Sequence, residues 1–353
     1  MDLEKRIQAF ANLGKALRYA FGNEAGVRFP EDMNDKIEVL KAEAASAKNY
    51  NGWFEEGMVY HALLALGESL REDKLRKWVS GYRLEGVLEP KTVGVVMAGN
   101  VPAVGFHDFL SVLISGHKIL ARLSSDDSKL LPAMANLLLS IEPDFESYIT
   151  FTNDHLKKFD AVIATGSNNT SRYFEFYFGK YPNIIRKNRN GIAVLTGKES
   201  QPELEALLDD VFLYYGLGCR NVAKIFVPQG YDFEPLLNVL GKRTDISEHH
   251  KYFNNYEYNK AIYLVNMRPH LDTGNLLLVE DEQISSPVGV LYYEYYISEV
   301  ALRNSLMVRN EQIQCILSQA DLLPNTIQLG GSQQPELWDY ADGIDTLKFL
   351  LSL

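Results

Sequence analysis

The stretch "KTVGVVMAG" (Lys91 to Gly99) constrains the fold of this chain more than any other. It is a short continuous run of apolar and small residues, closed by glycine. Such a run suits a strand covered on both faces, and parallel sheets are covered in that way. The rhythm continues downstream. Helix-like "FHDFLSVLISG" leads to strand-like "KILARL", then to helix-like "SKLLPAMANLLLSI", and strand-like "SYITF" and "DAVIATG" follow. Short apolar strands alternating with helices predict an α/β protein built on a doubly wound parallel sheet.

Upstream, the pattern is helical. Leu3, Ile7, Phe10, Leu13 and Leu17 recur at three- and four-residue steps and make one apolar stripe. Two further amphipathic segments follow at "NDKIEVLKAEAA" and "WFEEGMVYHALLALGESL". After "KESQPELEALLDDVFLYYG" a second α/β set begins with "AKIFVP" and runs through "LLLVE" and "VGVLYYEYY" to "IQCIL". The expected organisation is a helical segment over 1–88 packed on a first α/β unit over 89–200. A second α/β unit covers 201–322, and a C-terminal segment over 323–353 ends in a strand, "TLKFLLSL". No repeat, low-complexity tract or Pro/Ser linker separates the two α/β units, so direct packing with a cleft between them is expected.

Composition removes several function classes. A net charge of −11 over 353 residues argues against general nucleic-acid binding, which rests on neutralising phosphates with Lys and Arg. The seven histidines (His61, His107, His117, His155, His249, His250 and His270) form no HExxH and none neighbours a cysteine at ligand spacing, so no metal is expected. The pair His249–His250 in "SEHHKYFNNY" reads as a solvated loop. Two distant cysteines make neither a disulfide framework nor a CxxC, which suits a reducing compartment. "MDLEKRIQAF" carries charges of both signs where a signal peptide would be apolar, and no apolar run reaches membrane-span length. The expectation is a cytoplasmic protein without a membrane span.

Four stretches carry chemistry. In "YYGLGCRNVAKIFVP" (Tyr214 to Pro228), Cys219 follows two glycines. Free cysteine is among the most buried residue types, so a small core hydrophobe and a nucleophile both fit. In "VVMAGNVPAVGF", Asn100 stands at the carboxyl end of a strand, where open α/β sheets bind ligands; it suits either a turn or an amide donating to an oxyanion. "IATGSNNTSRYF" sets Thr165, Gly166 and Ser167 between a strand and a helix N-terminus, a place for phosphate and also an ordinary connection. It is not GxGxxG. "KILARLSSDD" ends a strand in Arg122, which could hold a phosphate or face solvent.

In their order and spacing, "MAGNVP", "TGS", "GLGC" and the late "SPVGV" resemble the aldehyde dehydrogenase superfamily. The chain from about Val93 onward is most similar to its fatty acyl-CoA reductase branch, the LuxC type, and "QPELWDYADGIDTLKFL" resembles that branch's C-terminal segment. The resemblance implies a nucleotide-binding domain over 89–200 and a catalytic domain over 201–322. It makes Cys219 the nucleophile, with Gly216 at the family's glycine three residues earlier. Asn100 then forms the oxyanion hole with the cysteine's own N–H, and Thr165, Gly166 and Ser167 lie beside the cofactor pyrophosphate. It also implies a homo-oligomer, to which the strand "TLKFLLSL" contributes by pairing with another subunit or with the catalytic sheet.

The departures from the family pattern are as informative. Hydrolytic members carry a glutamate ahead of the cysteine helix that activates water. In "IIRKNRNGIAVL" its nearest counterparts are Arg186 and Lys187, so hydrolysis lacks its general base. In "DEQISSPVGV", Gln283, with Glu282 beside it, stands at the glutamate that holds the nicotinamide ribose. Arg122 replaces the lysine that binds the adenine ribose. Three positions later the family has a glutamate that would repel a 2′-phosphate, and here Ser125 stands instead. NADPH is therefore the expected cofactor, unless Asp126 or Asp127 turns into the pocket and restores the repulsion.

The implied reaction is reduction of a long-chain acyl thioester to the aldehyde through a Cys219 thioester, with acyl-CoA or an acyl-donor partner enzyme supplying the acyl group. Thiol-for-thiol exchange is nearly balanced. A free cysteine has a pKa of about 8.5, so Cys219 needs assistance, for which Arg220 is a candidate. The alternatives are a short-chain CoA-acylating dehydrogenase using NADH, and a non-reducing acyl-transfer or acyl-binding subunit.

Overall fold

The computed structural model describes every residue except Asn23, Ala25, 85–88 and 320–322, together with all side chains of the described residues but that of Asn168. The boundaries drawn at 88 and 322 lie outside the described residues. The chain divides into two compact units, Met1–Lys187 with Glu336–Leu353, and Asn188–Pro335.

The first unit opens with four helices, α1 (Leu3–Phe21), α2 (Glu31–Ala45), α3 (Glu56–Ser69) and α4 (Glu72–Val79). The stripe read from the sequence is the buried face of α1: Phe10, Leu13 and Leu17 have no exposed surface. Asp2 starts that helix by accepting from Lys5 N at 2.8 Å. The α/β part follows as β1 (Thr92–Val96), α5 (Phe106–Ser115), β2 (Lys118–Arg122), α6 (Leu130–Ile141), β3 (Ile149–Thr152), β4 (Ala161–Thr165), α7 (Asn168–Phe178) and β5 (Asn183–Arg186). The five strands are parallel in the order β3-β2-β1-β4-β5. The order reverses beside β1, the strand first recognised in the sequence, and its Val93 and Val95 are fully buried. Ligands of open α/β sheets bind at such a reversal, outside the carboxyl ends of the strands.

The second unit contains β6 (Asn190–Val194), α8 (Gln201–Phe212), β7 (Val222–Pro228), α9 (Glu234–Leu240), α10 (His250–Val265), β8 (Leu271–Asp272), β9 (Leu277–Glu280), β10 (Val290–Tyr296), α11 (Glu299–Val308) and β11 (Ile313–Leu317). Its sheet has the order β11-β6-β7-β10-β9-β8, and only β8 is antiparallel to its neighbour. Strand β6 pairs with β7 and β11, so the second sheet begins at Asn190, within the stretch that the sequence reading gave to the first unit.

The C-terminal segment corrects the sequence expectation. "TLKFLLSL" forms no strand; Thr346–Leu350 is a helix, α12, that packs on α5 of its own unit. Asp345 caps it by accepting from Lys348 N at 2.8 Å, and Leu347 and Leu350, three apart, are its buried face. His117 secures the far end. Its Nδ1 accepts from Lys91 N (3.1 Å), so Nε2 carries the proton and donates to Leu350 O (2.9 Å). Burial pushes the pKa of this imidazole down. Leu347 and Leu350 are thus covered within one chain, while Phe349, Leu351 and Leu353 are half-buried.

Candidate active site

At the carboxyl edge of the first sheet, Val96 of β1 is level with Arg122 of β2 and Ala164 of β4. The structure therefore gathers Asn100, Arg122, Ser125 and the Thr165–Ser167 turn along one edge of one unit. Asn100 is exposed in the turn that leaves β1. That turn lies against the one after β2: a Cβ on Gly99 would sit 2.5 Å from Ser124 Oγ, so only glycine fits. Arg122 is half-buried at the strand end and has no side-chain partner among the described residues. Ser125 is exposed.

The two aspartates that follow part company. Asp126 is exposed, and its N–H donates to Ser124 Oγ at 3.2 Å. Asp127 turns inward and is only 6% exposed. Its Oδ2 accepts from Ala103 N at 2.7 Å. Burial raises its pKa to about 6, against the opposing effect of the Ala103 and Leu130 N–H groups.

The Thr165-Gly166-Ser167 turn is built for its helix. Ser167 caps α7, its Oγ accepting from Thr170 N at 3.2 Å. A Cβ on Gly166 would lie 2.9 Å from a ring carbon of Phe174 and 3.1 Å from Thr170, so helix packing alone already favours glycine here. At the end of β5, Arg186 is buried and its guanidinium makes a two-pronged pair with Asp108 (2.6 and 2.8 Å) and a bond to Thr346 Oγ1 (3.1 Å). Lys187 pairs with Glu175 at 3.1 Å. Neither residue supplies a base.

In the second unit, Cys219 is half-buried in the turn between α8 and β7. The approach to it is strained. Tyr214, Tyr215 and Gly216 have φ of 51°, 57° and 74°, three successive left-handed residues of which only glycine adopts that region without cost. Strain of this kind persists only where the surroundings over-determine it, and it gathers at functional sites. Here the buried Asn221 does much of the holding. Its side-chain oxygen accepts from Gly218 N (2.8 Å), and its amide donates to Asp210 O (3.0 Å) and Leu213 O (2.8 Å). The fully buried Asp210 carboxylate accepts from Ser332 N and Gly330 N, fastening the segment behind. Arg220, the candidate helper of the thiol, is half-buried and donates its Nε to Ser332 O. The other cysteine, Cys315, is buried in β11.

Sequence reading missed several of these groups. His249 is buried, caps α10 by accepting from Tyr252 N, and stacks on Tyr215 at 4.1 Å; only His250 is exposed, as a solvated loop would require of both. Lys224 is fully buried within β7 and donates to Asp281 O (2.7 Å) and to Glu294. With Arg268 on Glu280 O (2.9 Å) and Arg309 on Glu282 O (3.0 Å), three cations hold three successive carbonyls. Glu282 and Gln283 at this loop are exposed. A lysine inside "AKIFVP" was the available signal. Among the described residues no cluster of His, Cys, Asp and Glu could hold a metal, and no helix is long and apolar enough to cross a membrane.

No protein-family model matches the chain, and no curated protein matches it. Solved structures do. An aldehyde dehydrogenase 21 from Physcomitrella patens, in complex with the reaction product succinate, superimposes with a TM-score of 0.67 at 12% identity, over 100% of this chain and 84% of the other. An acetylating aldehyde dehydrogenase from Geobacillus thermoglucosidasius gives 0.62 at 10% identity, over 96% and 86%. A Thermus thermophilus 1-pyrroline-5-carboxylate dehydrogenase variant gives 0.59 at 13%, over 99% and 80%. At these identities the likeness concerns architecture: the chain has the aldehyde dehydrogenase fold.

Proposed function

We propose that this protein is an acylating aldehyde dehydrogenase that reduces a long-chain acyl thioester to the aldehyde, with NADPH as cofactor. The observation that supports it most is the Cys219 turn. Three left-handed residues and a buried Asn221–Asp210 frame fix one half-buried thiol, an arrangement that a core cysteine does not need. Cys315 shows the contrast, lying in an ordinary buried strand. The choice of acylating over hydrolytic chemistry draws on Arg186 and Lys187, which stand near the family's water-activating glutamate and are both engaged in ion pairs.

In this reading the Cys219 thiolate attacks the thioester carbonyl, and the tetrahedral adduct expels the donor thiol, leaving the acyl group on sulfur. Asn100 donates its side-chain N–H to the oxyanion of that adduct. The cofactor would be held at the carboxyl edge of the first sheet. The fit is good there: Arg122 is an uncommitted, half-buried guanidinium, Ser125 offers a hydroxyl, and Thr165–Ser167 leads into a helix N-terminus. When bound, a reduced nicotinamide supplies the hydride that takes the acyl group to the aldehyde level. Three of the structural neighbours were solved with NAD or NAD+, which suits a dinucleotide at this edge and does not by itself argue for the 2′-phosphate form. A homo-oligomer and an acyl-donor partner remain part of the proposal.

A second reading, short acyl chains with NADH, is favoured by the acetylating neighbour. The test is consumption of NADPH and NADH against acyl-CoAs of graded length, with aldehyde trapped. Long chains with NADPH support the proposal. Cys219→Ala abolishes aldehyde formation, and Cys315→Ala retains it. Appreciable reductase activity in the Cys219 variant would refute the covalent route.

A further inference from the structure

We propose that Asp127 is a positioning residue whose buried carboxylate sets the conformation of the turn carrying Asn100 and ties it to the turn carrying Arg122 and Ser125. The catalytic consequence rests on the proposed function; the structural claim does not.

Ala103, three residues after Asn100, holds φ at 55° in the left-handed region, which an L-residue adopts only at a cost. It is also 4% exposed. The acceptor of its N–H is Asp127 Oδ2, at 2.7 Å. Ala103 O still accepts from Phe106 N (2.9 Å), but without the Asp127 oxygen a buried N–H is orphaned and the strained conformation loses its one side-chain anchor, so the turn loosens. The carboxylate itself sits on a firm base. Asp127 N donates to Ser124 O (3.3 Å), Asp126 N to Ser124 Oγ (3.2 Å), and Asn51 reaches Asp126 O (3.2 Å) from the helical segment. The turn after β2 is thus anchored independently, and the turn after β1 is fixed through it.

The geometry is maintained at a cost. Asp127 Oδ1 is buried with no hydrogen-bond partner, and the buried Tyr50 hydroxyl, which senses the Asp127 charge, also has none. A carboxylate kept in such surroundings marks a position where the bond it makes is needed. Leu130 N–H at the start of α6 also faces the carboxylate, and that helix is held in addition by seven buried side chains.

The experiment compares Asp127→Ala with Asp127→Asn, whose amide oxygen still accepts from Ala103. Two readouts are used: hydrogen exchange of the peptide covering 99–105, and single-turnover release of CoA from octanoyl-CoA and palmitoyl-CoA. In Asp127→Ala, exchange over 99–105 accelerates about tenfold or more, the loss of one buried bond. CoA release slows by a similar factor while the Kd for NADPH stays within about threefold, because the turn after β2 keeps its own anchors. Asp127→Asn stays within about threefold of wild type in every measurement. Unchanged exchange in the alanine variant overturns the proposal, as does equal acceleration in the asparagine variant. If the alanine variant does not fold, Asp127→Ser, whose hydroxyl is too short to reach Ala103 N, replaces it. A wild type that releases no CoA ends the functional reading, and the exchange data still decide the role of Asp127.

Discussion

Replacing Arg186 by methionine breaks the most completely buried ion pair of the first unit. Its side chain and that of Asp108 are 6% and 9% exposed, and two parallel bonds of 2.6 and 2.8 Å join them. The pair bridges the end of β5 to the first turn of α5, and the bond to Thr346 Oγ1 adds the start of α12. Methionine matches the apolar stem of arginine and leaves the Asp108 carboxylate buried without its partner. Removing one member of such a pair costs about 3–5 kcal/mol, against about 0–1 for an exposed pair. For a unit of this size that corresponds to a fall in Tm of roughly 6–20 °C. All three tryptophans, Trp53, Trp78 and Trp338, belong to the first unit, so tryptophan fluorescence during urea or thermal unfolding reports on it directly. The double variant Asp108→Leu/Arg186→Met removes both charges and should recover most of the loss, to within about 1–2 kcal/mol of wild type. A single variant within about 1 kcal/mol of wild type would show that water reaches the pair and that the bridge between β5, α5 and α12 has no structural weight.

Three further outcomes follow from the same geometry. Arg122→Ala should lower the ratio of kcat/KM for NADPH over NADH by about tenfold, the worth of one charge-assisted bond; an unchanged ratio removes Arg122 from cofactor choice. Asp127 binds its proton more tightly in the folded chain than unfolded, so its contribution is complete below pH about 4 and is lost as pH rises to about 6, up to about 3 kcal/mol. Urea unfolding at pH 4 and 7.5 should show that slope in wild type and lack it in Asp127→Asn; equal slopes refute the assignment. Leu347→Ala, at a fully buried position on α12, should cost about 2–5 kcal/mol of stability in the first unit, and a smaller loss would show that α12 is only loosely docked.

Much of this was legible in the chain itself, because periodicity records which residues avoid water. "KTVGVVMAG" could be covered on both faces only inside a parallel sheet, and β1 lies at its centre. The strand ends followed from the strands, so Asn100, Arg122 and Thr165 could be placed on a carboxyl edge before any coordinates. Gly216, matched in the sequence to the family's glycine three residues before Cys219, is left-handed. Partner choice was not legible, since apolarity does not specify what covers a residue. The apolarity of "TLKFLLSL" led to a strand in the sequence reading, and contact with α5 together with the Asp345 cap makes it a helix instead. "IIRKNRNGIAVL" gave up its second half to another sheet because β6 pairs with β7 and β11. Asp126 and Asp127 are neighbours of one type, yet one faces water and the other reaches Ala103, a residue 24 positions away. Arg186 finds Asp108 across 78 positions and Lys224 finds Glu294 across 70. Buried charges take partners wherever the fold brings one within reach, and that distance is a property of the tertiary structure alone.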